Sequence, residues 1–416
     1  MKMQLKRLSS QLNLTHVLLF AFFLRLVWSL LVPVETTSDS FLYDAFAKSI
    51  ANGNGYAFPS GNLTVYWPVG TSAIYAVLYT LFGISTTVIV AFNLLIGTLI
   101  VWLTHELAKQ YLNEKIALVA AFLVSIWPVF IQFTTILAGT LIFIFLILLI
   151  LYIWGNQKIP LIIRAVFLGA LICGATFVRP PALAFIVILP ILDLIGRKPL
   201  RESLLSFLIA VTTASLLFAP WVYRNYQVFN QFVLVSANGG ANLWMGNHEG
   251  STGEYSPLPE LGFKDEVDRD KYFKKQAIEF ITQNPTEYIK LAIKRAFTTY
   301  KSETIGIVWN AALEKKLNAT GLFIAKFISS LYWWLMFGLA IIGVFIILRK
   351  KEMSLFNVLM VTLGYFFIFP ILTVAQDRYH LPINPFLAMF AAYALYRQFN
   401  FSIDVNNKNA DLKLEK

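Results

Sequence analysis

Apolar stretches of about 20 residues recur along this chain, and they decide its fold class before anything else is read. At 1.5 Å of rise per residue, about 20 helical residues cross a hydrocarbon core of about 30 Å. The segments 14–34, 86–108, 114–132, 136–154, 161–178, 180–195, 201–222, 322–348, 354–374 and 382–397 fit that pattern, and 68–83 is a shorter candidate. Several follow one another across short polar breaks, which a buried soluble core does not do. Only 14% of the residues are charged, against roughly 25% in soluble domains. The expectation is an all-α polytopic membrane protein.

The charges then orient it. The formal net charge is +11. In a soluble chain this would raise nucleic acid as a partner. Here Lys and Arg fall mainly in short loops and tails, as expected for loops retained in the cytoplasm, and no nucleic-acid-binding motif is present. Lys2, Lys6 and Arg7 put the N-terminus inside; the stretch 14–34 is too long for a signal-peptide core and reads as a retained helix. If every candidate crosses, Arg197, Lys198 and Arg201 fall outside. If 68–83 does not cross, then Lys109, Lys115, Lys158, Arg164, Arg197, Lys198, Arg201 and Arg349 to Lys351 all fall inside. Pro68 and Gly70 also open that shortest segment. We therefore expect about ten spanning helices and a membrane-edge helix at 68–83. The chain divides into a transmembrane module (1–222) with an outer loop at 35–85, an extracytoplasmic region (223–320), C-terminal spans (321–400) and a cytoplasmic tail (401–416). In the outer region the pattern predicts two helices, the second opening at Asn284-Pro285.

On the outer side, 38–50 reads as an amphipathic interfacial helix. Phe41, Leu42, Ala45, Phe46 and Ile50 share one face, and Asp44 and Lys48 form an ion pair on the wet one. Asp39 opens this helix, either as an N-cap, a role open also to Ser38 and Ser40, or as a carboxylate that takes a proton from a hydroxyl. Arg179, Arg224 and Arg378 sit at outer helix ends, against the positive-inside rule, and are candidates for anion binding. Each also has a plain reading: Arg179 as a snorkelling residue, Arg224 as a belt anchor, Arg378 as a partner of Asp377. Arg25, mid-helix, reads as structural and bundle-facing.

The order of motifs resembles the GT-C glycosyltransferases, in the bacterial branch related to protein O-mannosyltransferases and aminoarabinose transferases. The match runs through Asp39-x3-Tyr43-x3-Ala47, Gly53-x-Gly55-Tyr56 and Tyr66-Trp67-Pro68-Val69-Gly70. It resumes at Arg179-Pro180, Pro220-Trp221-x2-Arg224-Asn225, Gly239-Gly240-x-Asn242-Leu243-Trp244-x-Gly246-Asn247 and Arg378-Tyr379-x-Leu381-Pro382-x2-Pro385. The resemblance implies a GT-C helix bundle with two membrane-edge helices in the first outer loop. It also implies sugar transfer from a polyprenyl-phosphate donor, with Asp39 as general base. Arg378, Arg179 and Arg224 become candidates for the donor phosphate, and Tyr43, Tyr66, Trp67, Asn242, Asn247 and Tyr379 for substrate contact. The acceptor, a lipid, glycan or protein, stays open. An inner membrane with the site facing the periplasm or cell exterior follows from the same resemblance.

The chemistry suits these residue types. A sugar phosphate already carries a good leaving group, so inverting attack needs one carboxylate as base and cations on the phosphate, unlike the paired carboxylates of most glycosidases. The sequence departs from the family at Val69 and Trp67, where proline and lysine are frequent. Gly139 stands where relatives often carry an acid. His248 and His380, with Asp39 or Glu249, lack ligand spacing, and the single cysteine, Cys173, allows neither an intrachain disulfide nor a cysteine metal site. No cofactor or metal is expected, although relatives use divalent ions. The alternatives are a polyprenyl-linked glycan transporter or flippase, disfavoured by the lack of internal repeats and of polar midplane helices, and a polysaccharide polymerase or ligase, whose main outer loop comes late in the chain.

Overall fold

Residues 13–398 are described by a computed structural model, so the expected cytoplasmic tail and Lys2, Lys6 and Arg7 lie outside the described residues. The first part forms α1 (Leu14–Leu31), α2 (Asp39–Ala51), α3 (Gly70–Phe82), α4 (Thr86–Tyr111), α5 (Glu114–Ser125), α6 (Pro128–Gln132), α7 (Thr140–Gly155), α8 (Leu161–Val178), α9 (Phe185–Ile195) and α10 (Leu200–Phe229). The outer region contributes α11 (Gly239–Gly246), α12 (Glu266–Gln283), α13 (Pro285–Tyr300), α14 (Ile305–Val308) and α15 (Ala311–Lys316). The chain then returns through α16 (Ala319–Arg349), α17 (Val358–Leu372) and α18 (Asn384–Gln398). Side-chain caps mark several starts: Ser85, Asn113, Asn318 and Asn357 each accept a backbone N–H of the helix that follows.

Among the described residues, α1, α4, α8, α10 and α16 are long and apolar enough to cross a membrane. The segment 114–132 is not one straight span. Pro128 has no N–H to donate, so the helix stops at Ser125 and resumes as Pro128–Thr135, bent by 56°. The other expected crossings correspond to shorter helices, such as the 16-residue α7, about 24 Å long. The last helix lies inside the bundle, with every residue from Asn384 to Ala394 buried. Small residues permit this: a Cβ on Gly343 of α16 would stand 2.0 Å from the Phe390 carbonyl of α18.

Arg25 is fully buried, and its partners are carbonyls rather than an acid. Nη1 donates to Ala21 (2.9 Å) and Ser125 (3.3 Å), and the guanidinium lies over Gly97.

The first outer loop carries two short helices, α2 and α3, packed on each other. The buried face of α2 is Ser40, Asp44, Phe46 and Ala47, while Phe41 is half exposed. That corrects the expected wet-face ion pair. Asp44 does bind Lys48 (2.6 Å), but it is buried against α3, where the Tyr79 hydroxyl donates to it at 2.6 Å. The start of α3 touches the end of α8. A Cβ on Gly70 would stand 2.5 Å from the Phe177 carbonyl carbon and 2.7 Å from the Val178 nitrogen, both backbone. Backbone cannot swing away as a side chain can, so Gly70→Ala is expected to cost about 1–3 kcal/mol through overpacking. A lowered Tm in detergent would register it, and an unchanged Tm would mean that the two helices separate freely.

The outer region is stitched onto the membrane helices. Arg295 of α13 is fully buried; Nε donates to Ile371 (2.6 Å), and Nη1 donates to Gly246 (2.7 Å) and to Asn247 Oδ1 (2.9 Å). The Tyr300 hydroxyl donates to the Phe367 carbonyl at 2.5 Å. These contacts roof the outer end of α17.

Candidate active site beneath the outer region

A cavity of about 1140 Å³ lies between the first outer loop, the α8 end, the outer helices and the turn before α18. That exceeds the few hundred to about 1,000 Å³ of a single small-ligand pocket, so two substrates fit together. Its walls bring together Asp39, Tyr43, Tyr66, Trp67, Arg179, Asn242, Arg378 and Tyr379, drawn from four distant parts of the sequence.

Asp39 is the first residue of α2, and Ser38 before it has φ 51°, ψ −128°. A non-glycine residue there costs on the order of 1–3 kcal/mol, and such strain concentrates at functional positions. Ser38 makes no side-chain cap bond, and Ser40 instead closes the loop, accepting from Thr37 N (2.8 Å) and donating to Thr37 O (2.7 Å). The Asp39 carboxylate accepts from Arg378 Nη1 at 2.8 Å. Arg378 therefore pairs with Asp39 and not with Asp377, which accepts from Thr304 N (3.0 Å) and Oγ1 (2.9 Å). The Arg378 guanidinium also lies over Trp309 (4.5 Å) and Tyr379 (5.3 Å). Burial would lower its pKa, but Tyr379 and Asp39 outweigh burial and raise it, so its charge is permanent.

Arg179 stands between α8 and the 3₁₀ turn Pro180–Ala184, donates to Thr140 Oγ1 (2.9 Å), and lies over Phe143 (5.7 Å). Burial first, then the Arg378 charge, hold it below its ordinary value. Tyr43 completes the cluster. Burial, and then the Asp39 charge, push its phenol up to about 12, so at neutral pH it keeps its proton and can donate. Two fixed cations, one carboxylate and protonated phenols thus share one end of the cavity. Elsewhere on the lining Arg269 lies over Tyr66 at 4.7 Å, and Lys301 and Glu254 also border the space.

Two expected residues stand outside. Arg224 donates to Thr64 O (2.9 Å), Tyr56 O (3.1 Å) and Asn225 Oδ1 (3.0 Å), and lies over Trp221 (5.1 Å). Its donors are spent on the first loop, so it is a strut and not a cavity cation. Glu266 grips the same loop, accepting from Thr64 Oγ1 (2.9 Å) and Val65 N; burial raises its carboxyl pKa, with those two donors opposing. Asn247 is fully buried and binds Leu243, Thr373 and Arg295. Arg224→Ala should cost about 1–3 kcal/mol of stability through the orphaned carbonyls. Polyprenyl-phosphate affinity per folded molecule should stay within about twofold, roughly 0.4 kcal/mol. A tenfold loss of affinity at unchanged Tm would return Arg224 to the site.

His380 is buried, and His248 stacks on Trp244 at 3.9 Å. The donor set does not fit a divalent cation. No three His, Cys, Asp or Glu side chains converge among the described residues, and Asp39 is taken by Arg378. At Gly139 a Cβ would stand 2.4 Å from Thr71 Oγ1 and 2.9 Å from Val178 Cγ1, so the family acid would require those side chains to shift.

Sequence reading missed Glu303 and Trp309. Trp309 lies in an apolar run without a motif, and Glu303 sits in Lys301-Ser302-Glu303-Thr304, which looks like an ordinary polar loop.

Fold and cavity together define a polytopic helical membrane protein with one large cavity walled by its loops. Among solved structures, the chain is similar to the archaeal oligosaccharyltransferase AglB from Archaeoglobus fulgidus in complex with an inhibitory peptide and a dolichol-phosphate (15% identity, TM-score 0.55, 95% of this chain and 52% of that chain). It is similar also to the same oligosaccharyltransferase in complex with Zn and sulfate (16%, 0.55, 92% and 49%). A third likeness is to ArnT from Cupriavidus metallidurans bound to undecaprenyl phosphate (13%, 0.53, 92% and 59%). The chain spans about half the length of these proteins. No family model and no curated protein sequence matches it.

Proposed function

We propose that the protein is a glycosyltransferase that moves a hexose or pentose from a polyprenyl-phosphate donor to an acceptor hydroxyl on the extracytoplasmic face. One observation carries this reading: Asp39 and the pair Arg378 and Arg179 meet in one large cavity beside apolar walls such as Phe143, Phe366 and Phe369. A lipid phosphate needs that combination of fixed cations and apolar surface. The structural neighbours support it, since AglB was captured with a dolichol-phosphate and ArnT with undecaprenyl phosphate.

In the reaction, Arg378 and Arg179 bind the donor phosphate, with Tyr43 as a neutral donor and Tyr379 beside them. The phosphate competes with Asp39 for Arg378 and leaves the carboxylate free to face the acceptor. The acceptor oxygen attacks the anomeric carbon as Asp39 takes its proton. The bond from that carbon to the phosphate oxygen breaks, and polyprenyl phosphate leaves with the electron pair, its charge held by the arginines. No protonated acid is needed, because a phosphate leaves as an anion. Tyr66, Trp67 and Asn242 line the space for the sugar and acceptor. The distribution of Lys and Arg supports a cavity on the extracytoplasmic side, and the resemblance to bacterial members supports an inner membrane with that side facing the periplasm or cell exterior.

Purified protein incubated with radiolabelled polyprenyl-phosphate sugars and a membrane extract tests the reading. Label should pass to an acceptor with release of polyprenyl phosphate. Label that stays on the lipid with every donor tried would overturn it.

A further inference from the structure

Glu303 is a fully buried carboxylate that the reaction does not use. Burying a charge is unfavourable unless donors surround it. Here two do, from different segments, and an imidazole stands beside them. Asn384 Nδ2 at the start of α18 donates at 2.6 Å, and Trp127 Nε1 at the α5–α6 break donates at 2.8 Å. His380 Nε2 lies 3.2 Å away. His380 is itself fixed, with Nδ1 at 2.7 Å from the Thr299 carbonyl; a carbonyl only accepts, so Nδ1 carries a proton. Trp333 stacks on the imidazole at 4.1 Å, and Tyr300 lies beyond at 6.0 Å.

The next residue makes the second clasp, since Thr304 donates through both N and Oγ1 to Asp377. Asp377 and His380 belong to one 3₁₀ turn, Asp377–Ile383, and Arg378 lies between them. Two consecutive residues, Glu303 and Thr304, thus grip the turn on either side of the cation that faces Asp39. Arg378 Nε is buried without a partner, so its own hydrogen bonds do not hold the guanidinium fully. Its position is set by the turn, and the turn by this grip.

We infer that Glu303 is a positioning residue: through His380 and Asn384 it fixes the turn that aims Arg378 at the donor phosphate and at Asp39. This inference rests on the donor-binding reading given above for Arg378. Glutamine at 303 keeps the volume but, whichever way the amide turns, sets its N–H₂ against the Asn384 Nδ2 or the Trp127 Nε1 that now donates to the carboxylate. Arg378 should then lose its register while the bundle stays folded.

The test uses the full chain in detergent and two readouts. The first is affinity for undecaprenyl phosphate, with undecaprenol as the uncharged control. Glu303→Gln should weaken phosphate binding by about tenfold or more, equivalent to about 1.4 kcal/mol. Added to Arg378→Ala, it should weaken binding no further, because it acts through Arg378. Thr304→Val, a milder change at the second clasp, should behave the same way with a smaller loss. A Glu303→Gln effect that repeats in full on the Arg378→Ala background, or no effect at all, overturns the inference.

The second readout needs no ligand. The coupling between Asp39→Asn and Arg378→Gln in thermal stability should be present with Glu303 and largely lost in Glu303→Gln. A coupling that survives Glu303→Gln or Thr304→Val overturns the positioning role even where those variants fold poorly. If the wild type fails to prefer the phosphate over undecaprenol, the donor site fails, and the coupling readout still decides the role of Glu303.

Discussion

Asp39→Asn is expected to lower the rate of sugar transfer by about 10²- to 10⁴-fold, the usual contribution of a positioned general base. Asparagine keeps the size of the side chain and an oxygen that can accept from Arg378 Nη1, which now bonds Asp39 at 2.8 Å. What it lacks is a lone pair basic enough to take the acceptor proton. The loss should therefore fall on turnover at saturating donor, with donor affinity unchanged or improved as Arg378 is released from an ionic partner. Initial rates with labelled donor, alongside equilibrium binding of undecaprenyl phosphate, separate the two. Turnover within threefold of wild type would reduce Asp39 to a counter-ion for Arg378.

Arg378→Ala should act on the other half of the site. Charge-assisted hydrogen bonds contribute about 1.5–3 kcal/mol each, so affinity for undecaprenyl phosphate should drop by about 10- to 100-fold. Part of the effect will appear as lost stability, because Asp39 is left at the cavity wall without its cation and Trp309 without the guanidinium that covers it. Arg378→Lys should recover the charge but not the fork that serves Asp39 and a phosphate at once, so affinity should return only in part. Full recovery by lysine would mean that the phosphate is held by charge alone. Affinity that survives Arg378→Ala would move the phosphate to Arg179, or to Arg269 and Lys301, which also line the cavity.

Much of this architecture was legible in the sequence because membrane helices announce themselves by composition. The apolar periodicity located the helices, and the basic loops singled out 68–83, which the structure forms as the short α3 packed on α2. Arg179 and Arg378 could be named as arginines at outer helix ends, exceptions to the positive-inside rule, whereas Asp39 reads as a helix cap or a base, and the family resemblance favours the base. What the sequence could not reveal was partnership. Arg224 and Arg378 look alike in sequence, each an arginine near aromatics at an outer helix end. Only the folded chain shows one spent on the Thr64 and Tyr56 carbonyls and the other facing Asp39. Asn247 shares a motif with Asn242, yet it sits five residues on, just past the end of α11, and binds into the Arg295 cluster instead of lining the cavity. Asp44 read as a wet-face residue because its i+4 neighbour is Lys48, but α3 covers that face. Glu303 left no sequence signal, since its three partners lie far from it along the chain, at Trp127, His380 and Asn384.

The most direct test of the central claim follows one labelled molecule through the wild-type protein. A polyprenyl-phosphate sugar labelled in both sugar and lipid is added to the protein in lipid nanodiscs with a membrane extract, and the products are separated. The account predicts that the labels part: the sugar appears on an acceptor and the lipid as free polyprenyl phosphate, in equal amounts. Labels that stay together while the lipid changes leaflet in a vesicle assay would contradict it and make the protein a carrier.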